Sequence, residues 1–492
     1  MIREARSEYT HSIVLRQRPV DPETPMNREV VVATAVLIAL LVAAVPSAGA
    51  TDGSSSARLT IDEAVELALE HNLSLEAARL DFESAKWGVR SARAALLPSL
   101  RLSSTARRVD PDTYERANAS LDFIEGMGIE VEPFMYETTY ETSFTASVPI
   151  WNGGKLWGAV GAATGGRDAA GHAYEAARRA TISDARAAYF GALRAEALLD
   201  VALDAVDAAN ANAEAARRRA DVGLAPNAEV LRWEVMAAEE ELALADAEAA
   251  VTMARTQLAS VFGLSLDEVF ELVDVTAIEF KERFAELAWL VDGEGLTEAD
   301  ARALLTSSPE FAALEDATRA SRAGVGIARG AFMPSLNASG SYGWKADDDI
   351  DPDDETAWSV TLALDFPVFT SFKNISDYNQ SKREYLAALR RQEDTERGMV
   401  AGLRGAVSAL ASGSKAFAAA ERLLIQSEDH LQSVVNRYRE GMAPYTEYAD
   451  ARVLFDRSRV GYVNAVYDGL LAIAEVERLL GDRVYEGSGE TQ

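Results

Sequence analysis

Two carboxylates are the residues of this sequence best placed for chemistry. Glu447 and Asp450 are spaced i, i+3, so a helix would present both side chains on one face. Such a pair concentrates negative charge and would favour cations over anions. The alternative is an ordinary solvated helix face, and the spacing alone leaves both interpretations open.

Residue types exclude most other chemistry. The 492 residues include no cysteine, which rules out disulfides, thiol catalysis, cysteine-bound metals and a lipidated N-terminal cysteine. The four histidines lie far apart without metal-ligand spacing, so we predict no metal site. The sequence has no nucleophile elbow, HExxH motif or phosphate-binding loop, so we expect no catalytic residues, no cofactor and no enzyme. A net charge of −30 also disfavours nucleic acid as a partner.

Two similar turns punctuate the chain, at Val222-Gly223-Leu224-Ala225-Pro226 and at Glu440-Gly441-Met442-Ala443-Pro444. Glycine ends one helix and proline begins the next, so each turn predicts a tight helical hairpin. Leu224 and Met442 would be exposed at these tips, which suggests a surface for a partner protein.

The two turns belong to an internal duplication. Residues 149–263 match residues 367–481 at a constant offset of 218, which pairs Gly223 with Gly441 and Glu229 with Glu447. A constant register over this length indicates two copies of one supersecondary unit. The first copy has Arg232 where the second has Asp450, so only the second copy carries the carboxylate pair.

Four segments alternate between apolar and polar residues, as expected for strands with one apolar face. They lie near 96–105, 138–148, 335–344 and 358–366. Such strands suit either a transmembrane barrel or a half-buried sheet in a soluble domain. Four strands are too few to close a membrane barrel. Either the sheet packs on helices, or several chains share one barrel.

Long helices are predicted between the strand pairs and the tips. Residues 155–221 and 373–439 are alanine-rich and free of proline, and each predicts one helix of about 100 Å. The other helical segments are about half as long, so two of them laid end to end would match one long helix. These shorter segments are 60–94, 227–262, 297–330 and 445–480.

The N-terminal region contains an uncharged stretch, 30–50, that follows Met26 and ends in small residues. We interpret 26–50 as a signal peptide and 1–25 as an upstream extension, with a retained membrane anchor as the alternative. The remaining chain is predicted to divide into a first repeat at 51–265 with a β-hairpin at 96–149, an irregular acidic linker at 266–296, a second repeat at 297–481 with a β-hairpin at 334–368, and a tail at 482–492.

These motifs resemble the TolC family of outer membrane efflux proteins. The resemblance covers nearly all of 59–481 and includes Leu97-Pro98-Ser99-Leu100, residues 148–154 and Arg437-Tyr438-Arg439-Glu440-Gly441. It implies a mainly α fold with transmembrane β structure, in which a homotrimer forms a twelve-stranded outer membrane β-barrel continuous with a twelve-helix periplasmic α-barrel. Three chains with four strands each would solve the closure problem.

The resemblance also implies roles for residues near the second tip. Glu447 and Asp450 match acidic positions around the family's closed periplasmic entrance, and six carboxylates in such a ring would favour cations. Tyr438 and Glu229 match members of the network that keeps this entrance shut. They are therefore the expected gate residues.

One departure from the family pattern concerns position 443. The best-known member has an arginine where this chain has Ala443, so Arg437, Arg439 or Arg232 would have to replace that lock. The family's tips are also implied to dock a periplasmic adaptor protein. The corresponding residues here are Val222, Gly223, Leu224, Ala225, Gly441, Met442 and Ala443.

The implied function is a passive exit duct that conducts substrates from an inner-membrane pump and its adaptor across the periplasm and the outer membrane. The transported substrate and the class of pump are not indicated by any motif. The alternative is a soluble coiled-coil scaffold in the periplasm, which would explain the helices but not the four amphipathic strands.

Overall fold

The computed structural model describes most of the chain beyond its N-terminal region. The chain divides into two units, residues 1–55 and 56–492, and the second unit is the one described below. The expected upstream extension, signal peptide and C-terminal tail lie outside the described residues. Those residues are 58–121, 127–128, 131, 133–265, 271–274, 277–291, 296–347 and 356–481.

Helices and strands follow the predicted order in each half of this unit. The first half contains β1 Arg58–Leu59, α1 Ile61–His71, α2 Leu73–Ala94, β2 Ser99–Arg108, α3 Pro111–Asn118, β3 Thr138–Trp151, α4 Lys155–Asp221 and α5 Asn227–Phe262. The second half contains β4 Glu271–Leu272, α6 Ala277–Val291, α7 Glu298–Leu305, α8 Pro309–Gly330, β5 Ser335–Asp347, β6 Thr356–Asp365, α9 Lys373–Arg439 and α10 Tyr445–Leu480.

The two long helices are confirmed at their predicted bounds. α4 and α9 have 67 residues each, and α5 and α10 have 36 each. At 1.5 Å per residue, a long helix measures about 100 Å. None of the helices within the described ranges has an apolar run long enough to cross a membrane.

The predicted helices 60–94 and 297–330 are each interrupted, contrary to the sequence prediction. Asn72 separates α1 from α2, and its side-chain oxygen accepts hydrogen bonds from the backbone amides of Ser74 and Leu75, each at 3.0 Å. Ser308 caps α8 in the same way, with Pro309 in the first turn. Because a short polar side chain can replace the missing helical acceptor, each segment of 60–94 and 297–330 becomes two helices.

The four long strands form one antiparallel sheet in the order β2-β3-β5-β6. Their registers pair even-numbered residues with even-numbered residues, as in Leu102 with Phe144 and Tyr342 with Trp358, except after a register shift in β3 that pairs Trp151 with Leu336. The apolar residues of all four strands therefore share one face. None of the described residues covers that face, where Trp358 is 75% exposed and Val360 is 77% exposed.

The opposite face of the sheet is polar. Serine hydroxyls pair across neighbouring strands at 2.9 Å for Ser99 with Ser147 and at 2.9 Å for Ser341 with Ser359. The alternation predicted from the sequence is thus confirmed as a two-faced sheet. Between β2 and β3 the chain also forms the short helix α3.

The helices pack so that α8 and α10 both lie between α4 and α9. Large side chains fill the centre of this packing, including Tyr189, Phe190, Leu403 and Leu470, each 0% exposed. α4 and α9 are therefore joined through a common core rather than only through the sheet.

Contrary to the expectation of an irregular linker, the described part of 266–296 is largely helical. Its described part includes α6, which buries Phe280 and Leu287 at 1% exposure each and packs against α9 and α10. The rings of Phe280 and Phe417 lie 4.9 Å apart. Apolar residues at helical spacing drive this segment into a helix, because they need a partner surface, despite its acidic composition.

Candidate functional site at the helical tips

Both predicted hairpins are present with matching geometry. α4 and α5 are joined at Gly223, with φ of 75°, and α9 and α10 are joined at Gly441, with φ of 74°. In each turn the glycine N–H donates to a carbonyl three residues earlier, at 2.9 Å and 3.0 Å respectively. A positive φ favours glycine, which lacks the clashing Cβ, so the two tips end in the same way.

Tyr438 connects the two hairpins of one chain. Its hydroxyl donates to Oε1 of Glu229 at 2.5 Å and accepts a hydrogen bond from Nη1 of Arg219 at 2.6 Å. The Arg219 guanidinium also lies 4.8 Å from the centre of the Tyr438 ring. Since Tyr438 belongs to α9 while Arg219 and Glu229 belong to α4 and α5, this cluster bridges the two repeats.

Each hairpin also carries an arginine–glutamate pair across its own turn. Arg437 lies 2.6 Å from Glu447 in the second repeat, and Arg219 lies 3.6 Å from Glu229 in the first. The offset of 218 relates the two pairs residue by residue. Sequence reasoning considered Arg437 but missed Arg219, which the same offset applied to Arg437 would have identified.

Aromatic side chains pack beside the cluster formed by Tyr438, Glu229 and Arg219. Trp233 is 1% exposed, and its ring centre lies 5.0 Å from Tyr445 and 5.3 Å from Tyr448. Tyr448 in turn lies 5.0 Å from Tyr438 and donates from its hydroxyl to Oδ1 of Asn212 at 3.1 Å. Sequence analysis did not single out these residues, because their mutual contact depends on how α5, α9 and α10 meet.

Burial raises the pKa of Tyr438 to about 12, and its hydrogen bond to the Glu229 carboxylate acts in the same direction. The hydroxyl therefore stays protonated at neutral pH and remains a donor to Glu229. Burial also raises the pKa of Tyr445, while the Arg232 guanidinium opposes this rise. Both phenols are thus neutral bridging groups.

The structure brings together only part of the predicted gate. Tyr438 contacts Glu229 directly, whereas Glu447 is held by Arg437 within its own hairpin. Asp450 is exposed, and its carboxylate has no hydrogen bond or ion pair to any residue that the structure describes. In one chain, therefore, Glu447 is partly neutralised and Asp450 carries an unpaired charge.

The three arginines proposed as a substitute lock lie in different places. Arg437 pairs with Glu447, and the Arg232 guanidinium lies 5.9 Å from the ring centre of Tyr445. Arg439 is exposed at the end of α9. The cation that contacts Tyr438 is instead Arg219. In the described part of the chain, no group of three or more acidic or histidine side chains could hold a metal ion.

The apolar tip residues are mostly exposed. Val222 is 69% exposed, Leu224 76% and Met442 62%. Ala443 differs from the expectation of a docking residue, because it is only 8% exposed and packs within its own chain. A larger side chain at this position would disturb the packing of the tip before it met any partner.

Comparison with known proteins shows similarity over most of the chain. The sequence model of the family described as outer membrane efflux protein matches residues 64–264 and 301–482. OprJ, an outer membrane protein of Pseudomonas aeruginosa, is 23% identical over 430 residues, which cover 86% of this chain and 84% of OprJ. The cobalt-zinc-cadmium resistance protein CzcC of Cupriavidus metallidurans is 23% identical over 432 residues, covering 86% and 90%.

A solved structure has the same fold. The CmeC outer membrane channel of Campylobacter jejuni superposes with a TM-score of 0.73 at 18% identity, over 89% of this chain and 93% of CmeC. These similarities favour an outer membrane protein over a soluble periplasmic scaffold. With the family model matched over both repeats, the chain belongs to the outer membrane efflux protein family.

Proposed function

We propose that this protein is the outer-membrane exit duct of a tripartite export system, and that it works as a homotrimer whose entrance is closed at the helical tips. The observation that carries the closed entrance is the hydrogen bond from Tyr438 to Glu229, because it joins the two helical hairpins of one chain. The fold and the family membership support the duct itself.

Assembly into a trimer is supported by the sheet. One of its faces is apolar and bare, and its edge strands β2 and β6 each have one partner strand among the described residues. Unpaired edges and an apolar face are costly in isolation. Three copies joined edge to edge would pair these strands in a closed twelve-stranded barrel and turn the apolar face towards lipid.

The tip cluster would act as a latch. Tyr438, Glu229 and Arg219 hold α9 against the first hairpin, and the aromatic residues around Trp233 keep the two hairpins in register. The equivalent of Tyr438 in the first repeat is Ala220. The junction between neighbouring chains would therefore lack this phenol and be the weaker of the two kinds of contact.

Docking of a periplasmic adaptor is supported by the exposed apolar residues beside the latch. Val222, Leu224 and Met442 stand at the ends of the hairpins, where a helical partner would reach them first. A partner that moved these tips apart would break the Tyr438 bridge and open the duct. An inner-membrane pump would then supply the substrate and the energy.

Planar-bilayer recordings of the purified protein test the proposal. We expect small, cation-selective currents that divalent cations block, because the entrance is narrow and lined by carboxylates. Glu229→Gln should increase the conductance. The matched control is Glu234→Gln on the same helix, whose carboxylate pairs with Arg217 of its own hairpin. A protein that remains soluble without detergent and never inserts would refute the duct.

A further inference from the structure

A cavity of about 940 Å³ lies between α4, α8, α9 and α10. It is distant from the tips, since its α4 residues lie about 65 Å along that helix from Arg219. Its lining residues come from all four of these helices. The cavity is therefore a feature separate from the latch, and it is large enough for a small organic ligand.

The cavity exists because small residues line the long helices at this level. Ala170 and Ala173 face it from α4, and Gly398 and Gly402 face it from α9. Leu314 and Met399 add larger apolar surface, and the lining as a whole is more apolar than polar. This composition suits the apolar body of a ligand better than a hydrated ion.

The polar groups of the cavity are mainly acidic. Glu310, Asp394 and Glu475 line it together with a single cation, Arg478. The Arg478 guanidinium makes two hydrogen bonds to Glu475, at 2.6 Å and 2.9 Å. Glu310 has a buried carboxylate oxygen, Oε2, that has no hydrogen-bond partner among the residues that the structure describes. Such an atom is costly unless a ligand or solvent satisfies it.

The internal repeat shows that three of these charges are specific to the second repeat. Aligning α2 with α8 along their full length places Ser74 at the position of Glu310, and the offset of 218 places Gln257 and Ser260 at the positions of Glu475 and Arg478. All three are neutral, although α2 and α8 have the same length, as do α5 and α10. Glu310, Glu475 and Arg478 are therefore charges that the second repeat has and the first repeat lacks at these positions.

We propose that this cavity binds an organic cation with an apolar body, with Glu310 as the residue that faces the positive charge. The apolar lining would hold the body of the ligand, and the excess of carboxylates over Arg478 would select its charge. A bare metal ion fits less well, because no group of three or more potential ligands occurs in the described chain.

Equilibrium dialysis of the purified full-length protein tests the proposal with tetraphenylphosphonium as the probe. Tetraphenylborate, which has nearly the same shape and the opposite charge, is the matched ligand control. We expect saturable binding of the cation and at least tenfold weaker binding of the anion after subtraction of detergent blanks. Equal binding of both ions would overturn the charge-selective site.

Four variants separate this site from non-specific uptake. Glu310→Gln should weaken cation binding about tenfold, and Ala173→Phe should abolish it by filling the space. Arg478→Ser, which introduces the first-repeat residue, should strengthen it. The control is Glu315→Gln, an exposed residue of α8 outside the cavity.

The variants also test whether the cavity binds the cation, and they do so without a measurement of transport. Unchanged cation binding in both Glu310→Gln and Ala173→Phe would overturn the assignment, provided that each variant elutes as the wild-type oligomer. Binding is measured without a conductance assay, so a protein that fails as a duct can still confirm the cavity, and the reverse also holds.

Discussion

At the scale of residues, the tips show why identical spacing can give different chemistry. Glu229 and Glu447 are equivalent in the repeat, and each lies near an arginine ten residues earlier. Only Glu229 also accepts a hydrogen bond from Tyr438. The distinction arises because α9 meets the first hairpin within the chain, so a residue of one repeat reaches the acid of the other.

Tyr438→Phe should loosen this contact while keeping the aromatic packing. The change removes hydrogen bonds to two charged groups, which contribute about 1.5 kcal/mol or more. We expect the probability of the open state to rise about tenfold, since 1.4 kcal/mol corresponds to a factor of ten. Single-channel recording measures this, with Tyr385→Phe on the same helix as the control. Equal opening in the two variants would contradict the latch.

Asp450 and Glu447 should differ in their effect on divalent block. The Glu447 carboxylate is occupied by Arg437, whereas Asp450 is free to contact an ion. Asp450→Asn should therefore weaken block by calcium severalfold, and Glu447→Gln should weaken it less. Titration of the current with calcium in each variant checks this order. A larger effect at Glu447 would contradict the assignment of the blocking ion to Asp450.

At the scale of elements, the junction from sheet to long helix differs between the repeats. The first repeat has Gly153 and Gly154 with φ of 67° and 84°, and the second has Ser371 and Phe372 with φ of 49° and 66°. Non-glycine residues are strained in this region of backbone space. The fold therefore imposes the same turn on a sequence that does not favour it.

Exchanging the residues at this junction should change stability in opposite directions. Ser371→Gly should stabilise the protein by about 1 kcal/mol, because glycine adopts a positive φ without strain. Gly153→Ser should destabilise it, since a Cβ there would lie 2.5 Å from the Gly330 carbonyl oxygen. Urea midpoints of the detergent-solubilised variants measure both effects. A stabilising Gly153→Ser would contradict the geometric argument.

At the scale of the whole molecule, the single chain is incomplete. Its sheet presents Leu362 and Leu364 at 64% and 70% exposure on a face with no covering element in the described structure. Burying such residues stabilises by roughly 25 cal/mol per Å². The proposed association through the edge strands, together with lipid on the apolar face, would supply the missing environment.

Disulfide cross-linking between β2 and β6 should reveal this association, because the native chain contains no cysteine. Cysteine pairs scanned around Ser103 and Thr361, in the middle of the two edge strands, should give a ladder ending at the trimer on a non-reducing gel. The pair Ser341→Cys with Ser359→Cys should stay within one chain, since these residues face each other on neighbouring strands. A ladder that stops at the dimer would rule out the closed ring.

The local elements were determined by the sequence itself. Proline-free alanine-rich runs predicted α4 and α9 to the residue, and glycine followed by proline located both tips, because these preferences act within a few residues. The alternation of the strands likewise predicted the two faces of the sheet. The duplication related Glu229 to Glu447 without any structure.

Only the tertiary structure decided which of these residues meet. Arg219, Trp233 and Tyr448 join the tip cluster through contacts between helices that are far apart in sequence. Likewise, Phe280 of α6 packs against Phe417 of α9, which is far from it in sequence. Local preferences specify helices, strands and turns, whereas contacts between elements depend on packing geometry that no short stretch of sequence encodes.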